Sequence, residues 1–230
     1  MSYSYQELVG QLSLHAEDGY REFAKKISLS KRPVLGVRIP LIRKLANAVP
    51  REYYEEFLAV EPVTIEEVLV RGMIIDKLPY EEMLEWFDSQ VLYIDDWSTC
   101  DIFCTGLRKM VRGHLDEFLE SKVRGLVVDS REFATRVGLV ILKTSYMESK
   151  YLELIFGFCD DLVLRDEYYV KMAIAWLLSE CFIKFPNETM SYLKVTKLPK
   201  RTFNKTVSKI CDSYRVKGET KEMLRRMRKQ

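Results

Sequence analysis

Trp97 and Asp101 stand four residues apart in the segment YIDDWSTCDIFC, a spacing that puts both on one face of an α-helix. An aromatic ring beside a carboxylate can hold a flat cationic group, by stacking or cation attraction on one side and by charge on the other. Asp95 or Asp96 just before them is suited to cap such a helix. The same residues also fit a core tryptophan with a surface aspartate, and their types alone leave both readings open. Further along, FATRVGLVILKTSY puts Arg136 inside an otherwise apolar helical stretch, followed by Lys143. An arginine there snorkels outward, bridges to a neighbouring helix, or faces a polar groove where its planar fork can take a phosphate. Trp176, in YYVKMAIAWLLSE between Lys171 and Glu180, is a third candidate that core packing alone would also explain.

No site of a standard type competes with these residues. The chain carries no glycine-rich phosphate loop, no H-E-x-x-H, no G-x-S-x-G elbow and no dinucleotide fingerprint. Five cysteines (Cys100, Cys104, Cys159, Cys181, Cys211) accompany only two histidines, His15 and His114, and neither histidine stands in ligand spacing with Cys100 and Cys104. Buried or idle thiols in a reducing compartment are expected rather than zinc, and the zinc deaminase chemistry lacks its ligand set. No cofactor and no metal is indicated, so any chemistry is expected to be hydrolytic or a matter of binding.

The formal net charge of +2 conceals an asymmetry. Lys194 to Gln230 holds thirteen basic and three acidic residues, a balance of +10, while the preceding residues balance at -8. A second stretch, Phe23 to Arg51, has eight basic residues, among them Arg38, Arg43 and Lys44, and no acidic one. Such stretches are either solvated faces or, if brought to one surface, a grip for a phosphate backbone. No apolar run reaches the length of a membrane span, and the acidic start is unlike a secretory leader, so a cytoplasmic location is expected.

The elements that must position these residues are helical nearly throughout. Tyr5 to about Ile27 reads as one or two helices, and RPVLGVRIP then breaks the pattern before Pro40 opens a helix carrying Arg43 and Lys44. Pro50, Pro62 and Pro79 punctuate the next helices, and Thr64 with Glu67 has the form of a capping box. Helices are then expected at about 97–111, 115–127, 131–145, 151–162, 167–185, 188–195 and 202–214. Short helices with short links suit a helical solenoid, and a compact orthogonal bundle has the same local signature. No strict repeat of fixed length decides between them.

At these residues the chain resembles the AlkD-like family of DNA alkylation repair proteins, over roughly residues 20 to 215. RPVLGVRIPLIRKLA is similar to that family's early glycine-turn and basic-helix motif. Trp97 and Asp101 match its central tryptophan and aspartate, Arg136 its following arginine and Trp176 its second tryptophan. The chain departs from the pattern at Ser179, where an arginine is expected in W-x-x-R-E. It departs again at Asp96, which stands where an aromatic residue often precedes the first tryptophan and would add negative charge close to approaching DNA.

The resemblance implies an all-α HEAT-like helical-repeat superhelix, with one domain over 1–216, a basic helix or tail over 217–230, and a concave basic groove for duplex DNA. It implies a monomeric DNA N-glycosylase that hydrolyses the N-glycosidic bond of cationic N-alkylated purines, of the 3-methyladenine and 7-methylguanine type, without a cofactor and without flipping the base into a deep pocket. Trp97 and Trp176 would then flank the lesion's deoxyribose and backbone, and Asp101 would stabilise the charge growing on the sugar or position the attacking water. Arg136 would clamp a phosphate, and Lys143, Lys171, Lys197, Lys200, Arg201 and Lys205, with Arg38, Arg43 and Lys44, would hold flanking backbone. A non-catalytic relative selective for distorted or branched DNA and a protein-binding helical scaffold are the alternatives.

Overall fold

The computed structural model describes residues 4–229, and every regular element among them is helical. The first helices are α1 (Tyr5–Leu14), α2 (Asp18–Ile27) and α3 (Ile39–Ala48), the last with Pro40 in its first turn. A 3₁₀ turn leads into α4 (Tyr54–Ala59), followed by α5 (Ile65–Ile75), α6 (Tyr80–Tyr93) and α7 (Trp97–Val111). Next, α8 (Leu115–Phe118) passes through a π-helical segment, Leu119–Val123, into α9 (Arg124–Val127). Then come α10 (Glu132–Ser145), α11 (Leu152–Asp161), α12 (Tyr168–Lys184), α13 (Pro186–Val195), α14 (Lys200–Asp212) and α15 (Gly218–Arg226). No helix among the described residues is long and apolar enough to cross a membrane.

Local chemistry sets the helix starts. Ser4 and Glu7 form a complete capping box on α1. At α5, Thr64 Oγ1 accepts from Glu67 N (3.2 Å) and its hydroxyl donates to Glu67 Oε1 (3.1 Å), a side-chain link in place of the bond to the Thr64 backbone N–H that would complete a capping box. Glu67 Oε2 accepts from Val63 N (2.8 Å) and from the Tyr5 hydroxyl (2.8 Å), so the same carboxylate ties α1 to α5.

The chain divides into two compact units, the first ending at Val111 and the second beginning at Arg112. In the first, α5 packs against both α3 and α7. The register is steady: Lys77 Nζ donates to Ala46 O (2.6 Å), and Gly72 and Asp76 lie against Phe103 and Gly106. With Gly36 N donating to Glu66 at the start of α5, partners are separated by about thirty residues at both ends of this helix, which makes these helices parallel members of one row.

The second unit repeats the device, with α12 packed against α10 and α14. Arg136 meets Tyr169, Lys143 meets Trp176, and Trp176 meets Lys209, each pair 33 residues apart. Being covered by two neighbours explains why α12 is apolar nearly all round, with Val170, Ile174, Leu177, Leu178 and Phe182 all buried. Each such side chain contributes about 1.5–3 kcal/mol relative to exposure. At the end of the row, α15 buries Leu224 and the backbone at Lys229 exchanges two 3.0 Å hydrogen bonds with the Asn204 side chain.

Two close approaches in the first unit make testable demands. Gly36 has φ of 92°, and a Cβ there would stand 2.7 Å from both Arg21 Cβ and Glu17 O. Gly36→Ala is expected to lower stability by about 2–3 kcal/mol, read as a drop in the urea midpoint at unchanged slope. The Asp76 carboxylate is enclosed so tightly that a Cβ on Gly106 would fall 1.6 Å from Asp76 Oδ2, and Asp76 Oδ1 accepts no hydrogen bond.

Burial pushes the Asp76 carboxyl well above the usual range, with Arg43 and Lys77 opposing in part. The folded chain therefore holds this proton more tightly than the unfolded chain. The resulting stability is complete below the ordinary carboxylate pKa of about 4 and is lost as pH rises through the folded value. Asp76→Asn is expected to remove that loss, so that the thermal midpoint of the parent falls relative to the variant as pH rises above about 4. Midpoints that stay parallel as pH rises would contradict it.

Candidate functional site

Trp97 is the first residue of α7, and Asp101 lies one turn on. The helix start is fixed by Asp96, whose Oδ1 accepts from Ser98 N (2.8 Å) and whose Oδ2 accepts from Ser28 Oγ (2.6 Å). Asp95 Oδ1 accepts from Ser30 Oγ (2.8 Å), so both aspartates bind the segment that follows α2. Asp96 is 1% exposed and its carboxylate is met by internal donors, so it serves as a helix cap while also lining the hollow beside Trp97 and Asp101.

Trp97 is oriented from the same segment: its Nε1 donates to Ile27 O (3.1 Å). Its ring and Asp101 are both partly exposed, and both line a hollow of about 230 Å³ whose other walls include Tyr20, Ile27, Val34 and Ile39. The surroundings are mostly apolar, so Asp101 brings charge into a place of low polarity, where it acts on a nearby cation more strongly than in water. Glu66 also lines this hollow, and the sequence reading did not single it out. Buried at 3% exposure, its carboxylate accepts from Leu35 N (3.0 Å), Gly36 N (2.8 Å) and Val37 N (3.2 Å). It thereby holds the glycine turn of RPVLGVRIP against α5. The only foretoken was an acidic pair behind Thr64, which reads equally as a charge favouring the helix start.

In the second unit, Trp176 is partly exposed and Lys143 Nζ stands 3.3 Å from its ring centroid, with Lys209 Nζ at 5.7 Å. Two ammonium groups around one indole attract an anion and repel a cation, so this place suits backbone phosphate better than the charged base itself. Ser179, where the family pattern has arginine, is buried and donates back to Trp176 O (2.8 Å). It offers no phosphate contact. Arg136 also departs from expectation: it is 4% exposed, donates to Tyr169 O (3.3 Å) and lies 5.5 Å from the Tyr169 ring centroid. As it stands it ties α10 to α12, and its guanidinium is not presented to a phosphate at the surface.

The other expected cations divide by commitment. Arg38 is bidentate to Glu17 (2.9 and 3.1 Å from Nε, 2.9 Å from Nη2) and 4.9 Å from the Tyr20 ring centroid, and its hydrogen bonds hold the Glu17 carboxyl below the usual range. It is available to DNA only in exchange for that pair. Lys171 Nζ is 2.6 Å from Asp166 Oδ1, which lowers the Asp166 pKa. Arg43 and Lys44 on α3, and Lys197, Lys200, Arg201 and Lys205 at and before the start of α14, are exposed. The helix there begins at Lys200, two residues ahead of the expected Thr202, which sets Lys200 and Arg201 in its first turn.

All five cysteines are buried free thiols, and burial pushes Cys181 up to about 12. Among the described residues no group of three histidines, cysteines or carboxylates could hold a metal ion.

Rows of short parallel helices define a helical-repeat protein of the HEAT-like class. A solved structure described as "a new family of proteins related to the HEAT-like repeat DNA glycosylases with affinity for branched DNA structures" is similar over 97% of this chain and 93% of that one, with a TM-score of 0.60 at 11% identity. No curated protein matches the chain. Residues 8–210 match the model of the DNA alkylation repair enzyme family, and the chain belongs to that family.

Proposed function

We propose that this protein is a DNA N-glycosylase that hydrolyses the N-glycosidic bond of cationic N-alkylated purines in duplex DNA. The observation that carries the reading is the pairing of Trp97 and Asp101 at one mostly apolar hollow, with Trp97 oriented through Ile27 O. An alkylated purine is already a cationic leaving group and needs little acid catalysis. Positive charge grows on the sugar as the bond breaks, and a fixed carboxylate in a place of low polarity stabilises that charge more in the transition state than in the ground state. Asp101 takes this role or orients the attacking water, and Trp97 packs against the deoxyribose. The exposed cations of α3 in the first unit, and Lys143 and Lys209 around Trp176 with the exposed cations of α14 in the second, hold backbone phosphates. No cofactor takes part, and the protein works as a monomer in the cytoplasm.

The test is single-turnover release of base from duplex DNA containing 7-methylguanine or 3-methyladenine. A second reading, a relative that binds branched DNA without chemistry, is favoured by the description of the similar solved structure and by the inward position of Arg136. Folded protein that releases no base yet binds a branched duplex better than a plain one would decide for it.

A further inference from the structure

A second hollow, of about 280 Å³, lies between the first turns of α12 and α14 and is lined by Tyr168, Lys171, Met172, Arg201 and Lys205. Its composition is unlike that of the hollow at Trp97. Three of the five residues are cations, and the other two supply an aromatic ring and a thioether. The Tyr168 side chain is 61% exposed, with its edge steadied by Tyr169 at 5.1 Å between ring centroids. Lys171 is held in place by Asp166, a carboxylate that also feels the charge of Arg201. Counting that carboxylate, the cluster keeps a net positive charge, and two parallel helices begin beside it with their positive ends.

A duplex backbone presents its phosphates on a convex surface and needs cations, but it needs neither a recess nor an exposed ring. A recess offering both a π-face and a cluster of cations matches a ligand that carries a flat base and a phosphate together. We propose that this recess takes one unpaired nucleotide at a branch or single-stranded arm of a DNA duplex, with the base on Tyr168 and the phosphate on Arg201 and Lys205. Lys171, fixed by Asp166, closes the inner side. The proposal rests on the DNA-binding reading above and goes beyond it by giving the second unit a site for an unpaired base.

The test compares a blunt duplex with the same duplex bearing a short unpaired arm that carries 2-aminopurine at its first position. With the parent protein the armed duplex is expected to bind about tenfold more tightly and the 2-aminopurine fluorescence to be quenched on binding. Tyr168→Ala should abolish both the preference and the quenching while leaving blunt-duplex affinity unchanged, and Tyr168→Phe should keep them. Because the ring is exposed, the variant is expected to fold, and equal circular dichroism and thermal midpoint check this. Arg201→Gln should weaken the armed duplex more than the blunt one. If blunt and armed duplexes bind alike, or if the preference survives Tyr168→Ala, the recess proposal is overturned while DNA binding stands. Binding of neither duplex overturns both.

Discussion

Asp101→Asn is expected to lower single-turnover release of 7-methylguanine or 3-methyladenine from duplex DNA by about 10²–10³-fold, the range found when one preorganised electrostatic group is removed. The substitution is nearly isosteric, so Trp97, its hydrogen bond to Ile27 O and the shape of the hollow should persist. Affinity for DNA should stay equal or rise slightly, since a negative charge has gone from the path of the phosphates. This split separates an electrostatic role in the transition state from a role in binding. Release unchanged by the substitution would leave Asp101 without a catalytic part.

The largest expected effect on stability lies at Glu66. Removing its carboxylate in Glu66→Ala strands the buried N–H groups of Gly36 and Val37 and the partly buried one of Leu35. At about 1–3 kcal/mol for each buried donor left unsatisfied, and with partial relaxation of the turn, the loss should be about 3–5 kcal/mol. Glu66→Gln keeps one acceptor oxygen and should fall roughly midway, on the same scale. Chemical denaturation followed by helical circular dichroism measures both. Because the turn helps wall the hollow at Trp97, the Gln variant should also slow base release at a temperature where it remains folded. A Glu66→Ala protein as stable as the parent would mean the turn is held by something else.

Helix boundaries were legible because their chemistry is local. Pro40 and Pro79, the Thr64 cap and the apolar spacing mark starts that the structure reproduces within about two residues. The pairing of Trp97 with Asp101 was legible for the same reason, since four residues make one helical turn. What escaped depends on neighbours distant in the chain. The 33-residue register of the second unit is carried by unlike residues, arginine against tyrosine and lysine against tryptophan, so no repeated letters reveal it. Arg136 could equally have snorkelled outward, and its inward contact with Tyr169 on the adjoining helix has no trace in the local sequence. Tyr168 escaped because an aromatic residue at a helix start carries no signal until Arg201 and Lys205 are seen beside it.

The row of α10, α12 and α14 ends at α15, which packs against α14 and is attached through Leu224 and the clasp between Asn204 and Lys229. In a linear array, opening begins at a terminus and advances inward one element at a time. The amides of α15 should therefore exchange with deuterium first and those of α12 last. Since α14 is next in that sequence and bears Arg201, Lys205 and Lys209, a nucleic acid bound there would slow exchange in α15 without touching it, making the C-terminal helix a reporter of occupancy.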